Sequence, residues 1–413
     1  MPLTTGETIE LVIEKPAGGG RMIARHEGQI VLVLGAIPGE RVRAHVDRAD
    51  KRLAFASTVA VLDPSADRRE PGFDPRCGGC AYAHVAYERQ LALKAEVIAD
   101  AFERIGRIPL PDRVAIASSR GDGYRMRARL HVHQGRPGFY REGSHRLCDA
   151  GPTRQLLPET IEAVERVVRE VEAAGHEPIA VDVSENVAAD QRAMLVELTG
   201  SGYLLAGDPS VADSLGTLTE ERAQGGELRR RPVSFFQGNR FLIGRLVTTV
   251  LDAIPPDGEV LDLYAGVGLF AVALAGTGRS GVTAVEADRA AGGDLEANAT
   301  AFPGALAPVV MPVEEYLARR RVDPSATILV DPPRTGISRV ALEGIAAQDA
   351  ARIVYVSCDP ATLARDARRL LDAGYRLQSL EGFDLFPNTP HVESVGVFDR
   401  VTRRPDVQAV PGS

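Results

Sequence analysis

The feature that most constrains the fold is an alternation of short apolar runs with helical stretches in the last part of the chain. Four runs have the length and composition of fully buried strands: Val260–Tyr264, Val282–Glu286, Ile328–Asp331 and Ile353–Ser357. Buried strands separated by helices are typical of a parallel, doubly wound sheet with helices on both faces. Two more strand-like runs, Arg376–Gly382 and His391–Phe398, follow each other without a helix between them. They predict an antiparallel hairpin that closes the sheet.

The beginning of the chain has short strand-like runs and no helical periodicity. Turns rich in glycine and proline separate the runs Thr8–Glu14, Ile30–Leu34, Glu40–His45 and Phe55–Leu62. Short strands at this spacing predict a small barrel of the OB type. In the middle region, a helix over Tyr87–Arg107 carries an apolar stripe that ends at Ile105. Further strands are predicted there at Arg125–Gln134, Ile179–Ser184 and Ala193–Glu197.

The length of 413 residues is too great for one ordinary core and suits two or three domains. We predict an α/β protein with an N-terminal OB-like barrel over residues 1–62 and a central α+β domain over 63–230 that contains a CxxC knuckle. The third predicted domain, residues 231–413, is a doubly wound, Rossmann-like sheet.

The composition, with 44% hydrophobic and 25% charged residues, is that of an ordinary globular protein. No apolar run reaches the roughly 18 residues of a membrane span, and the N-terminus lacks the pattern of a signal peptide. The chain has four cysteines, Cys77, Cys80, Cys148 and Cys358, too few for a disulfide scaffold and typical of a reducing compartment. We expect a cytoplasmic monomer without a membrane partner.

The charge distribution is uneven. The net charge of −8 by itself argues against nucleic acid as a partner. The segment from Arg120 to Arg146, however, contains seven arginines and only two acidic residues, Asp122 and Glu142. Arg229–Arg231 forms a second basic run. These stretches are candidate contacts to an RNA backbone, and a solvated basic surface is the alternative.

A glycine turn follows the first strand of the predicted sheet. The spacing Gly266-x-Gly268 lacks a third glycine, so the dinucleotide fingerprint is incomplete. About 20 residues further on, Glu286 ends the next strand, where a carboxylate accepts hydrogen bonds from a ribose diol. The pattern Asp262-Leu263-x-x-Gly266-x-Gly268 favours S-adenosylmethionine over NAD, although any doubly wound protein with a tight first turn is an alternative.

Two reactive side chains are expected near the same edge of the sheet, and a third candidate lies in the predicted closing hairpin. Asp331 ends one strand in the sequence Asp331-Pro332-Pro333-Arg334, and Cys358 ends the next strand just before a helix. A helix N-terminus favours the thiolate, so we expect a lowered pKa for Cys358. Glu393 interrupts an otherwise apolar strand and therefore needs a partner or a task. The alternative for Cys358 is a small buried core residue, and the alternative for Glu393 is a position on a solvated strand face.

One cysteine, one carboxylate base and one methyl donor suit methylation at C5 of uracil. That carbon is too weak a nucleophile until a thiolate adds to C6 and generates an enolate, which attacks the methyl group. A general base must then remove the C5 proton so that the thiol leaves. Methylation at C5 of cytosine needs similar chemistry, but the RNA enzymes that perform it usually have a second cysteine in the proline-rich loop.

The sequence resembles the RNA (uracil-5-)-methyltransferase family, in particular its bacterial 23S rRNA branch with an N-terminal TRAM domain. Nearly the whole chain is covered, through the segments Gly35–Val42, Phe235–Asn239, Asp331–Arg334, Ser357–Pro360 and Phe386–Glu393. The resemblance implies that Cys358 is the nucleophile and Glu393 the base. It also implies that the S-adenosyl-L-methionine contacts are Gln237, Tyr264, Glu286 and Asp331.

The chain departs from that family at its iron–sulfur pattern, C-x5-C-x2-C with a distant fourth cysteine. Cys77 and Cys80 match the second and third positions as remnant ligands, whereas Pro71 and Thr153 occupy the first and fourth, with Cys148 five residues before Thr153. Because a [4Fe–4S] cluster usually requires four thiolates, we predict that no standard cluster forms. A three-thiolate cluster, or zinc with a non-cysteine ligand, is the alternative.

We therefore predict methylation of uridine C5 in RNA, with rRNA favoured over tRNA by the TRAM-like segment. The uridine must leave its stack to meet Cys358, so an unpaired or loop position is expected. The alternatives are a catalytically idle RNA-binding factor on the same scaffold and a methyltransferase for amino groups or small molecules. The presence of Cys358, Glu393 and Asp331 argues against the idle factor.

Overall fold

The computed structural model describes residues 3–401, so the outermost ends of the predicted first and third domains lie outside the described residues. The first five strands close into a barrel: β1 Thr8–Pro16, β2 Met22–His26, β3 Gln29–Leu34, β4 Arg41–Ala49 and β5 Leu53–Asp63. The closure joins β1 to β4 by antiparallel pairing, and β3 and β5 pair in parallel. Alternate residues of β4, such as Val42, Ala44 and Val46, are fully buried, as expected when every second side chain enters a barrel core. The predicted OB-like barrel is confirmed.

The central part of the chain forms an antiparallel six-stranded sheet in the order β12-β11-β10-β7-β8-β9. Its strands are β7 Arg127–His133, β8 Arg136–Tyr140, β9 Leu147–Asp149, β10 Pro178–Glu185, β11 Arg192–Leu198 and β12 Gly202–Gly207. Helix α2, Pro158–Ala173, packs on this sheet through a buried stripe that includes Val164 and Val168. A short ribbon, β13 Val211–Ser214 and β14 Glu227–Arg230, with helix α3 Leu215–Leu218, leads to the last region.

The C-terminal sheet has eight strands in the order β17-β16-β15-β18-β19-β21-β20-β6. They are β6 Ala115–Ala117, β15 Val260–Leu263, β16 Val282–Glu286, β17 Leu306–Val310, β18 Thr327–Val330, β19 Arg352–Ser357, β20 Tyr375–Phe383 and β21 Glu393–Arg400. Strands β15 to β19 run parallel, whereas β21 pairs antiparallel with both β19 and β20. The doubly wound sheet and its closing hairpin are therefore confirmed.

Helices cover both faces of this sheet. Their bounds are α4 Ile243–Ala253, α5 Leu269–Gly276, α6 Arg289–Ala299, α7 Val313–Arg319, α8 Arg339–Ala346 and α9 Pro360–Asp372. One buried apolar layer contains residues of α4, α5 and α6, and the opposite layer contains residues of α7, α8 and α9. Within residues 3–401, no helix has the length and apolar character needed to cross a membrane.

Two elements from the middle of the chain complete the C-terminal layer. Helix α1, Tyr87–Ala101, continues into a π-helical turn, Phe102–Gly106, and its Ile98 is fully buried in the same layer as α9. Strand β6 adds to the edge of the sheet beside β20. The π turn rotates Ile105 outward to 45% exposure, so its predicted place on the buried stripe is wrong. The domain boundaries remain predictions, and α1 and β6 fall in the predicted central domain by sequence.

Candidate active site

The predicted site residues meet at one edge of the C-terminal sheet. Strands β16, β15, β18 and β19 are neighbours and parallel, so their carboxyl ends lie side by side. Glu286 ends β16, Tyr264 follows β15, Asp331 follows β18 and Cys358 follows β19. Because β21 runs in the opposite direction, its first residue, Glu393, lies at this same edge, next to the end of β19.

Gln237 joins the site from the segment before α4. It is 5% exposed, and its Nε2 donates a hydrogen bond of 3.4 Å to Oδ2 of Asp331. Burial raises the pKa of Asp331 to about 7, and the hydrogen bond from Gln237 opposes that rise. A buried amide and a carboxyl group thus present paired polar atoms at the centre of the edge.

Glu286 is fixed against the glycine turn. Its Oε2 accepts a hydrogen bond of 2.8 Å from the Gly266 N–H, and its Oε1 accepts from the N–H groups of Ala287 and Asp288 at 2.8 and 2.7 Å. Gly268 has a φ of +93°, and a Cβ there would lie 2.8 Å from Cδ1 of Leu295. The backbone therefore passes close to the helix layer at a point where only glycine fits.

The residues at this edge fit a cationic nucleoside cofactor. The carboxyl groups of Glu286 and Asp331 lie on neighbouring parts of the edge, and Tyr264 stands between their strands with a φ of +61°. Carboxylates are suited to a ribose diol and to positive groups of the ligand. Gln237, Tyr264, Glu286 and Asp331 are accordingly the side chains available to hold S-adenosyl-L-methionine.

The thiol of Cys358 is half-buried just before α9. Asp359, rather than Cys358, caps that helix, and its Oδ1 accepts a hydrogen bond of 2.8 Å from the Thr362 N–H. Burial first, and then the charges of Glu393 and Asp331, raise the pKa of Cys358 to about 11, against the opposing charge of Arg334. The lowered pKa predicted from the helix N-terminus is therefore wrong, because burial of the thiol and the charges of the two carboxyl groups outweigh any favourable effect of the helix.

Glu393 is a buried acid at the start of β21. It is 3% exposed, and its Oε1 has no hydrogen-bond partner among residues 3–401. Burial first, and then Asp331, raise the pKa of Glu393 well above its ordinary value, while Arg334 lowers it. The alternative of a solvated strand face is excluded. A buried carboxyl group of high proton affinity, close to a thiol, is suited to receive a proton from a bound substrate.

The knuckle cysteines, Cys77 and Cys80, lie with Cys148 in the buried apolar cluster of the central region, to which Cys358 does not belong. Cys77 and Cys148 form a disulfide, while Cys80 is a free, buried thiol. Gln155 lies against the knuckle: its Nε2 donates a hydrogen bond to the Gly78 carbonyl at 2.9 Å and another to Sγ of Cys80 at 3.7 Å.

This donor set does not fit a four-thiolate cluster. Burial raises the pKa of Cys80 to about 12, and Thr153 turns its hydroxyl to the Ala150 carbonyl at 2.6 Å. In the part of the chain that the structure describes, no group of three or more His, Cys, Asp or Glu side chains is arranged to hold a metal ion.

The basic stretches divide into paired and available arginines. Arg230 is 1% exposed and forms an ion pair with Asp213, so its proposed contact with RNA is wrong. The two flanking arginines, Arg229 and Arg231, are ion-paired with Glu227 and Asp294 respectively.

Within the stretch from Arg120 to Arg146, Arg129 and Arg141 are also ion-paired, with Asp182 and Asp74, whereas Arg120 and Arg127 lie beside exposed aromatic rings. The Arg127 guanidinium is 5.7 Å from the ring centroid of Phe235, which is 62% exposed, and that of Arg120 is 5.2 Å from the ring of Phe241. Exposed aromatic rings beside arginines are the surface that unstacked bases use.

Sequence reasoning missed three residues that act on the site. Arg334 was quoted within a motif but given no role, although its charge opposes the raised pKa of both Cys358 and Glu393. Gln90 and Lys94 are fully buried on α1 and contact the loop before Glu393. The sequence signal for Gln90 and Lys94 is that two polar side chains, one helical turn apart, lie among the buried residues of a helix.

Known protein families and proteins are similar to this chain. The tRNA (Uracil-5-)-methyltransferase family model matches residues 322–401, and the TRAM domain model matches residues 2–59. The 23S rRNA (uracil(1939)-C(5))-methyltransferase RlmD of Pseudomonas putida is 33% identical over 429 residues, covering 95% of this chain and 94% of the relative. An uncharacterised RNA methyltransferase of Streptomyces coelicolor is also 33% identical, over 95% of this chain and 93% of its own.

A solved structure has the same fold. The tRNA (uracil-54, C5)-methyltransferase of Pyrococcus abyssi, in complex with S-adenosyl-L-homocysteine, superposes with a TM-score of 0.73 and 23% identity. The superposition covers 94% of this chain and 99% of that one. At that identity the likeness shows the fold and no more.

Proposed function

The chain belongs to the RNA (uracil-5-)-methyltransferase family, and we propose that it methylates C5 of a uridine in RNA with S-adenosyl-L-methionine as the methyl donor. The observation that carries the proposal is the meeting of a thiol, Cys358, and a buried acid, Glu393, at the end of β19 and the start of β21. The polar side chains for the donor, Gln237, Glu286 and Asp331, lie along the same edge.

The chain's own residues would act in a fixed order. The methyl donor supplies an electrophilic methyl group. Cys358 adds through its sulfur to C6 of the uracil, so that the electron pair moves to C5, which then takes the methyl group. Glu393 removes the proton from C5, the C5–C6 double bond re-forms and the Cys358 thiolate leaves. The products are 5-methyluridine, S-adenosyl-L-homocysteine and a proton.

Transfer of a labelled methyl group tests the proposal directly. Purified protein is expected to label total RNA from a strain that lacks the gene, and to form a covalent adduct with RNA that contains 5-fluorouridine. With fluorine in place of hydrogen, C5 has no proton that Glu393 can remove. The thiolate of Cys358 then cannot be eliminated, and the adduct persists. A methyltransferase for amino groups or small molecules would form no such adduct, and an idle RNA-binding factor would transfer no label.

We infer that the substrate is ribosomal RNA. A relative of 33% identity over nearly the whole chain is named for 23S rRNA, and the TRAM domain model matches the barrel. A tRNA substrate is the second candidate, because the Pyrococcus abyssi protein with the same fold is named as a tRNA methyltransferase. Mapping 5-methyluridine in rRNA and tRNA with and without the gene distinguishes the two. A cytoplasmic location suits either substrate, and the monomeric state remains a prediction.

The raised pKa of Cys358 predicts how fast its thiol is alkylated. Because the pKa is raised to about 11, the neutral thiol dominates at neutral pH, and the thiolate fraction grows as the pH increases. We expect the rate of iodoacetamide alkylation at Cys358 to rise about tenfold per pH unit between about pH 7 and pH 9, without a plateau. Mass spectrometry of the Cys358 peptide measures it, and a plateau below about pH 8 would contradict the prediction.

The same measurement tests Arg334. Its charge lowers the pKa of Cys358, so Arg334→Met is expected to slow alkylation severalfold at any pH below the pKa. Arg339→Met is the matched control, since Arg339 is an exposed arginine whose ion-pair partner is Glu343 on its own helix. Equal rates for the two variants would show that Arg334 does not act on the thiol.

A further inference from the structure

The base Glu393 lies at the end of a loop, Asp384–Val392, which we call the base loop. The loop joins the antiparallel neighbours β20 and β21. Its backbone is held mainly by polar groups from outside the sheet, for example the Asn239 side chain, whose Nδ2 donates to the Leu385 carbonyl at 2.9 Å. Oε1 of Glu393 has no partner among the described residues, so the position of the carboxyl group depends on the backbone where this loop enters β21, opposite Phe383 of β20.

Lys94 holds the first half of the base loop. Its Nζ forms an ion pair with Asp384 and donates a hydrogen bond of 3.1 Å to the Phe386 carbonyl. Both charged side chains are 0% exposed. A buried ion pair adds little net stability because both charges lose their water, but it specifies one geometry.

Gln90 holds the second half, one helical turn before Lys94 on α1. Its Oε1 accepts a hydrogen bond of 2.9 Å from the Asn388 N–H, and its Nε2 donates to Oδ1 of Asn388 at 3.0 Å. Asn388 has a φ of +64°, a left-handed conformation that needs support from its surroundings. Residues four apart on a helix lie on one face, so Gln90 and Lys94 act on the loop together.

Other N-terminal groups close around the same loop. The Tyr82 N–H donates to the Asn388 carbonyl at 2.8 Å, and Arg69 donates to Oδ1 of Asn388 at 2.5 Å. At the barrel, a Cβ placed on Gly20 would lie 3.0 Å from Cγ of Pro390. The base loop is therefore enclosed by α1, the segment before it and a turn of the barrel.

We propose that Gln90 and Lys94 are positioning residues that hold the base loop so that Glu393 reaches the C5 proton. This inference rests on the proposed function. In the step concerned, the C5–H bond breaks, the proton moves to Glu393, its electron pair re-forms the C5–C6 double bond and the bond from Cys358 to C6 breaks. Proton transfer requires the base within hydrogen-bond reach, whereas the earlier addition and methyl transfer do not use Glu393. Loss of either positioning residue therefore slows release of the nucleophile rather than formation of the adduct.

Gln90→Met tests the proposal, because methionine has a similar volume and removes the amide. With 5-fluorouridine RNA the variant is expected to form the adduct within about twofold of the wild-type rate. With ordinary uridine RNA, release of methylated product in a single turnover is expected to slow by about tenfold or more, with a methylated adduct visible on a denaturing gel.

Gln348→Met is the matched control. Gln348 is also buried, and its amide makes the same kind of bonds to backbone, with the carbonyl groups of Leu317 and Arg320 and the N–H of Val322, away from the site. This variant is expected to lose stability without any stalled adduct. An equal stall in both variants would overturn the proposal, because it would show general damage.

Asn388→Gly provides a second route if Gln90→Met does not fold. Glycine tolerates the positive φ and removes the Oδ1 to which Gln90 and Arg69 donate. The same stall is expected, and release at the wild-type rate would overturn the proposal. A wild-type protein that transfers no methyl group and forms no adduct would instead refute the proposed function, so the two failures are distinguishable.

Discussion

Replacement of Cys358 by alanine is expected to abolish methyl transfer, lowering the rate by roughly 10⁴-fold or more, because C5 of the uracil becomes a good nucleophile only after the thiol adds to C6. The adduct with 5-fluorouridine RNA should disappear as well. Binding of S-adenosyl-L-methionine, measured by calorimetry, should change little, since the side chains assigned to the donor are Gln237, Tyr264, Glu286 and Asp331.

Cys80→Ala is the control for this experiment. Cys80 is a free cysteine like Cys358, but it is buried in the central region and its pKa is raised to about 12. We expect the Cys80 variant to retain methyl transfer and the adduct. Residual transfer by Cys358→Ala above about one part in 10³ of wild type would contradict the assignment of the nucleophile.

Replacement of Glu393 by glutamine is expected to stop the reaction at a later point. Glutamine keeps the shape of the side chain but cannot accept the C5 proton, so turnover should fall by about 10² to 10⁴-fold. Addition and methyl transfer remain, and the protein should therefore accumulate as a methylated covalent adduct with ordinary uridine RNA. A denaturing gel with labelled methyl donor measures the adduct, which the wild-type protein should form stably only with 5-fluorouridine RNA.

Glu286→Gln separates this effect from damage to donor binding. Glu286 is fixed at the glycine turn, so its replacement should raise the KM for the donor and leave no stalled adduct on ordinary RNA. If Glu393→Gln turned over at the wild-type rate, or if it also failed to form the 5-fluorouridine adduct, its role as the base would be refuted.

The sheet edge could be predicted from the sequence because parallel strands place their carboxyl ends together. Glu286, Asp331 and Cys358 each follow an apolar run, so the periodicity alone brings them to one edge. Glu393 needed one further step, the recognition that its strand runs in the opposite direction.

The electrostatics of the site could not be predicted in the same way. The pKa of Cys358 depends first on the burial of its thiol and then on the charges of Glu393 and Asp331, which no local pattern records. The buried ion pair of Arg230 with Asp213 and the disulfide of Cys77 with Cys148 likewise depend on contacts between distant segments. Basic runs and cysteine spacings are properties of the linear sequence, so they do not show which distant residues will pair.

The position of α1 has a consequence for how the protein is made. Lys94 and Asp384 are 290 residues apart in the chain, yet they form one buried contact. During synthesis, α1 and β6 leave the ribosome long before the strands that cover them. Their apolar faces are therefore exposed to solvent until the chain is almost complete. Such non-local closure slows folding and makes the nascent chain depend on protection from aggregation. A C-terminal fragment cut at residue 231 would lack β6, α1 and the side chains of Gln90 and Lys94 that contact its base loop, so the catalytic sheet depends on segments from the first half of the chain.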